Sequence, residues 1–145
     1  LYLSDNFSRI DFHKYLGDLS RFLKTSVAGS SNISFNLDIT EERPNINRAI
    51  PCGLIVNELV TNALKFAFPN KEKGNINISL QYETGVFTLI VENDGVPFPQ
   101  DVNIKKSKTL GMSLIRALAA QMHGTLDLDR TTGAKFTIQF MQEVD

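Results

Sequence analysis

The sequence predicts an α/β two-layer sandwich, in which one sheet of about five strands is covered on one face by three helices. Five segments alternate apolar with polar residues or run continuously apolar, and three longer stretches repeat apolar residues at three- and four-residue spacing. At 145 residues with 42% hydrophobic content, the chain can enclose one core but not a second of useful size. Strands that are apolar on one side need a single covering layer, so the economical packing puts every helix on the same face of the sheet. One domain over residues 1–145 is therefore expected.

The first helix is expected over residues 11–28, where Phe12, Tyr15, Leu16, Leu19, Phe22 and Leu23 fall on one side. Gly29, Ser30, Ser31 and Asn32 end it. Ile33, Phe35, Leu37 and Ile39 then alternate with Ser34, Asn36 and Asp38 as the first strand. A second helix is predicted over about 48–68. Ile76, Ile78, Leu80 and Tyr82 form the next strand, and Glu83, Thr84 and Gly85 turn it back into Phe87–Val91, whose continuous apolar run suits a central strand. A third helix is expected over about 110–123, followed by strands carrying Leu126 and Leu128, then Phe136, Ile138 and Phe140. Residues 96–109 make the longest irregular stretch, and a loop of that length in so small a domain is more often functional than idle.

A formal net charge of −1 provides no broad positive surface for nucleic acid or an anionic membrane, so any anion must be held locally. Cys52 is the one cysteine and cannot form an internal disulfide; no secretory or bilayer-spanning run is visible, and a cytoplasmic setting is expected. The chain begins at Leu1 without an initiator methionine, which suggests a piece of a longer protein that can itself be membrane-attached. Cys52 has no His or Asp placed to make it a nucleophile, and no Cys and His cluster has zinc spacing. His13 reads as an ordinary helix residue, and His123 as a helix C-terminal residue favoured by the dipole.

On the second helix Val56, Leu59, Val60, Ala63 and Ala67 form the core side, while Glu58, Asn62 and Lys65 stack on the other at spacings of four and three. A carboxylate, a carboxamide and an ammonium in line suit a metal nucleotide: hard oxygens for Mg²⁺ and a cation for phosphate. A solvated helix face gives the same spacing. Asn93, Asp94 and Gly95 follow the central strand and form, at least, a turn. Lys105, Lys106 and Lys108 punctuate the long loop, which ends at Thr109-Leu110-Gly111-Met112-Ser113, where a starting helix directs free amides and its positive dipole end at any anion.

The string from Asn57 to Pro69, preceded by Ile50-Pro51-Cys52-Gly53-Leu54-Ile55, closely resembles the N box of histidine kinases of the GHKL ATPase superfamily, in the branch with an NELVTNAxKHAFP-type box. Glu92-Asn93-Asp94-Gly95-Val96-Pro97 stands where that family carries its G1 box, and Leu110-Gly111-Met112-Ser113-Leu114-Ile115 resembles the G2 box. Thr132-Gly133-Ala134-Lys135-Phe136 is similar to the closing Gly-Thr-x-Phe element, so the likeness runs from about Leu1 to Phe140. It implies a mixed, mostly antiparallel sheet and an ATP lid between the two glycine boxes. It also implies that Asn62 coordinates Mg²⁺, that Glu58 organises the metal or its waters, and that Lys65 contacts phosphate; these three are the candidate catalytic residues. The implied nucleotide contacts are Asn62, Lys65, Phe66, Asn93, Gly95, Lys108, Thr109, Leu110, Gly111, Met112, Ser113 and Gly133. Phe66 replaces a histidine, Asn93 the adenine-reading aspartate, Pro97 the second glycine of the G1 box, and Ala134 a threonine.

The function so implied is that of the Mg-ATP-binding catalytic domain of a two-component sensor histidine kinase. It would phosphorylate a histidine on upstream helices absent from this chain, with residues 1–10 as the tail of that region. A response regulator and a homodimeric parent complete the implied partners. The alternatives are a non-catalytic interaction module of the same fold, to which Asn93, Pro97 and Ala134 point, and a serine kinase or ATP-hydrolysing clamp.

Overall fold

A computed structural model describes residues 11–26, 32–69, 73–97 and 110–142. In chain order these form α1 (Phe12–Ser26), β1 (Ile33–Ile39), α2 (Ile46–Asn62) with a π-helical continuation (Ala63–Ala67), β2 (Gly74–Glu83), β3 (Val86–Asn93), α3 (Leu110–Gln121), β4 (Thr125–Asp129) and β5 (Ala134–Met141). The tail expected at residues 1–10, the loop lysines 105, 106 and 108, and Thr109 lie outside the described residues.

The five strands form one sheet in the order β1-β2-β3-β5-β4. The β1–β2 pair is parallel, because α2 carries the chain back between them, and the other pairs are antiparallel. β3 is central, as its apolar run predicts. Along β2, β3 and β5 every second side chain is buried, and that face joins the buried sides of all three helices in one core. The predicted two-layer sandwich and mixed sheet are observed. A cross-strand aromatic row holds one end of the sheet: Tyr82 pairs with Phe87 at 4.7 Å between ring centroids, and Phe87 with Phe140 at 5.3 Å.

Thr84 and Gly85 join β2 to β3 with φ of 50° and 83°, the two positive values of a type I′ hairpin turn, whose twist matches that of the strands. The start of α2 is tied to the end of β5. The Asn45 amide donates to Gln142 Oε1 at 3.0 Å, and Arg48 Nε donates to the Met141 carbonyl at 2.8 Å. α2 thus crosses the sheet from its β5 end toward the strand ends where Asn93 and Ala134 are paired. At the close of α3, His123 takes φ 55° and its amide donates to the Ala120 carbonyl at 2.9 Å, so it serves as the left-handed terminating residue.

Candidate functional site

Between α2, the first turn of α3 and the ends of β3 and β5 lies a cavity of about 550 Å³, within the usual size for small-molecule sites. Glu58 and Asn62 line it from α2, Gly111 and Met112 from α3, and Asn93 from β3. Strand alternation explains the last of these. Phe87, Leu89, Val91 and Asn93 share the helix-facing side of β3, whereas Glu92 and Asp94 project from the other.

Asn62 Nδ2 donates to Glu58 Oε1 at 3.5 Å, one turn back along α2. With its nitrogen so directed, Asn62 leaves Oδ1 available to a cation. A Cβ built on Gly111 would strike Glu58 Oε1 and lie 3.6 Å from Asn62 Nδ2. Only glycine lets the start of α3 approach these two side chains so closely. The start of α3 therefore sits beside the carboxylate and carboxamide, which brings the positive end of a helix dipole next to hard oxygen donors.

Lys65 is exposed and does not line the cavity; Phe66 does, although it is 71% exposed. The physical cause is the π-helical stretch from Ala63 to Ala67. Its wider turn advances less per residue, so Phe66, four residues beyond Asn62, stays over the Glu58–Asn62 row, while Lys65 falls behind it. Along the cavity wall the Glu58–Asn62 row is thus continued by Phe66, with Lys65 beyond it.

The turn after β3 is packed against this π-helical stretch. Val96 N–H donates to the Ala67 carbonyl at 2.8 Å, and a Cβ on Gly95 would collide with the same oxygen. Gly95 N–H donates to Asn93 Oδ1 at 2.9 Å. Asp94 points elsewhere: its carboxylate accepts from the Asn75 amide at 2.7 Å and from Asn75 Nδ2 at 2.9 Å. Partial burial raises the Asp94 pKa, but the bonds from Asn75 and the backbone outweigh it and hold the group below the usual carboxylate range. Asp94 is thus unavailable as a substitute for Asn93.

Gly133, expected beneath a nucleotide, has φ 120° and is buried against the Asn93 carbonyl, where a Cβ would clash. It supports the wall without lining it. Ser113 is half-buried off the wall, its hydroxyl accepting from Arg116 Nη2 at 3.3 Å. Leu110 opens α3, while Lys108 and Thr109 fall outside the described residues.

Leu59, Ala63, Ala67, Val96 and Phe136 also line the cavity and had no site role in the sequence reading. Leu59, Ala63 and Ala67 were assigned to the core side, yet each follows or flanks Glu58, Asn62 or Phe66, and that adjacency was the available signal. Cys52 is fully buried away from the cavity, and burial pushes its thiol pKa up. Among the described residues, no group of three or more His, Cys, Asp or Glu could hold a metal by itself. The donor set at Glu58 and Asn62 fits Mg²⁺ only in the form where a ligand's phosphates and waters complete the shell.

Residues 47–144 match the model of the histidine kinase-, DNA gyrase B-, and HSP90-like ATPases, and the chain belongs to that family. It is 31% identical over 84 residues to the sensor histidine kinase PdtaS of Mycobacterium tuberculosis, a match covering 57% of this chain and 17% of that protein. It is 26% identical over 117 residues to the blue-light-activated histidine kinase 2 of Erythrobacter litoralis, covering 80% of this chain and 34% of the relative. Among solved structures, the histidine kinase domain of the Erythrobacter litoralis EL346 blue-light activated histidine kinase superposes with a TM-score of 0.81 at 23% identity, over 93% of this chain and 64% of that one. The fold is that of histidine kinase ATPase domains. No helix among the described residues is long and apolar enough to cross a membrane.

Proposed function

We propose that the cavity binds Mg-ATP and that the domain passes the γ-phosphoryl group to a histidine on upstream helices of a longer, homodimeric sensor kinase, which then serves a response regulator. The observation that carries this reading is the meeting, in one cavity, of the Glu58–Asn62 pair, the amide-bearing start of α3 at Gly111 and the Asn93 carboxamide. Cation ligands, phosphate-binding amides and a base-contacting group stand on three separate elements, which is the division of labour a nucleotide needs.

Asn62 Oδ1 and Glu58 would hold the metal, directly or through water, and the metal's chemistry is charge neutralisation between phosphates. The rest belongs to this chain. The α3 amides stabilise negative charge on the phosphates, Asn93 contacts the base, and Met112, Ala134 and Phe136 exclude water from the inner wall. Phe66, largely exposed at the rim, is proposed as an aromatic cover, and Lys65, exposed beyond the wall, as a long cation that screens phosphates projecting from it. Lys108 and Thr109, outside the described residues, are proposed as further phosphate contacts. The setting proposed is the cytoplasm, where ATP is available.

The test is calorimetric titration with a non-hydrolysable ATP analogue, with and without Mg²⁺, on this chain and on Asn62→Ala. Metal-dependent binding that is lost in the variant is expected; no heat at millimolar ligand sinks the reading and favours an interaction module. The isolated chain, offered radiolabelled ATP, is expected to bind it without labelling itself.

A further inference from the structure

The Asn93 carboxamide is held in one orientation. Gly95 N–H donates to its Oδ1 at 2.9 Å, and an N–H cannot make that bond to an amide NH₂, so the two ends of the side chain are not interchangeable here. The turn that supplies this N–H is itself fixed. Val96 N–H is bound to the Ala67 carbonyl at 2.8 Å, Gly95 has no room for a Cβ against that same oxygen, and Gly133 packs on the Asn93 carbonyl from the other side. Swinging Oδ1 away would leave a half-buried N–H unpaired.

Nδ2, which only donates, has no acceptor among the described residues, while Oδ1 keeps one lone pair beyond the bond from Gly95, so the side chain offers a ligand a free donor beside a half-used acceptor. Neighbouring carboxylates do not change the sign of this contact. Glu92 and Asp94 project from the opposite face of the strand, and Asp94 is bound to Asn75. With Asn93 contacting the base at position 6, as the nucleotide reading has it, purines differ there. Adenine carries an amino group at C6, a donor that opposes Nδ2; hypoxanthine and guanine carry a carbonyl there, which accepts from it.

We infer that Asn93 makes the cavity take 6-oxopurine nucleotides at least as readily as adenine nucleotides. This rests on the nucleotide reading above and adds to it the identity of the base. Inosine triphosphate is the deciding ligand, because it lacks the 2-amino group of guanine and otherwise resembles ATP in shape.

The experiment is calorimetric titration of the chain with ATP and with inosine triphosphate in the presence of Mg²⁺, repeated on Asn93→Asp. The wild-type chain is expected to bind inosine triphosphate at least as tightly as ATP. The aspartate keeps an acceptor for Gly95 N–H and turns the cavity-side donor into a charged acceptor, so it is expected to shift the affinity ratio about tenfold or more toward ATP. A wild-type preference for ATP, or a ratio that Asn93→Asp leaves unchanged, overturns the inference and leaves nucleotide binding standing. Failure of both nucleotides to bind overturns the nucleotide reading as well. The wild-type comparison decides the matter even if the variant does not fold.

Discussion

Replacing Gly111 with alanine separates the site from the fold. The new methyl group would occupy the position of Glu58 Oε1, the far end of a flexible side chain, so the carboxylate can turn away and the backbone can stay. Alanine gains up to about 1 kcal/mol over glycine inside a helix. The displaced Glu58 gives up its 3.5 Å bond from Asn62 Nδ2, a loss of about 0.5–1.5 kcal/mol. The two terms offset, so stability should change by no more than about 1 kcal/mol, and the melting temperature by no more than about 4 °C. Binding has no such offset. A hydrogen bond to a charged group is worth about 1.5–3 kcal/mol, so Mg-ATP affinity should fall by about ten- to a hundredfold. Thermal denaturation followed by calorimetric titration measures both. Wild-type affinity at an unchanged melting temperature would mean that Glu58 does not serve the nucleotide, and an unfolded variant would mean that its carboxylate cannot yield.

Gly95→Ala should behave in the opposite way, because its methyl group meets the backbone oxygen of Ala67, which no rotamer can move; a loss of about 1–3 kcal/mol in chemical denaturation is expected. Thr84→Asn should stabilise the protein by about 0.5–1 kcal/mol, since a β-branched residue at φ 50° is strained where asparagine is at ease, and the same denaturation assay reads it. Asp94→Asn tests a pH dependence. The folded-state pKa of Asp94 is depressed, so its contribution is present above the unfolded value of about 3.9 and is lost as pH falls through the lower folded value. The stability gap between wild type and variant should therefore be steady near neutrality and close below about pH 4. Cys52 should resist a thiol-specific reagent at pH 8 in the native protein and react at once in denaturant.

Most of the fold was legible because the sheet is buried on one face only. Ile76, Ile78 and Leu80 alternate cleanly with Asn77 and Ser79, and that pattern fixes both the strand and the side that carries helices. Strand alternation accounts for Asn93 facing the helices and Asp94 facing away, because β3 runs on as far as Asn93. The helix was harder. Periodicity assumes one turn geometry throughout, and nothing in Ala63-Leu64-Lys65-Phe66-Ala67 signals that the hydrogen bonding widens there. The expected stacking of Lys65 beside Asn62 rests on a uniform α-helical turn. Glycine roles were equally hidden: Gly111 and Gly133 both looked like ligand-approach residues, yet one meets a side chain in the cavity and the other a strand carbonyl behind it.

The π-helical stretch also explains why the cavity has the wall it has. Ala67 closes the helical stretch, and the last carbonyls of any helix find no partner further along it, so the Ala67 oxygen is open to accept from Val96. That bond fixes the turn carrying Gly95, Gly95 N–H fixes Asn93 Oδ1, and the carboxamide then holds its nitrogen unbonded toward a ligand. The same stretch brings Phe66 over the Glu58–Asn62 row and moves Lys65 off it. The helical geometry thus sets one side of the cavity and the end of the helix sets another, and forcing the stretch back into α-helical register should move Phe66 off the wall while leaving the Ala67–Val96 bond in place.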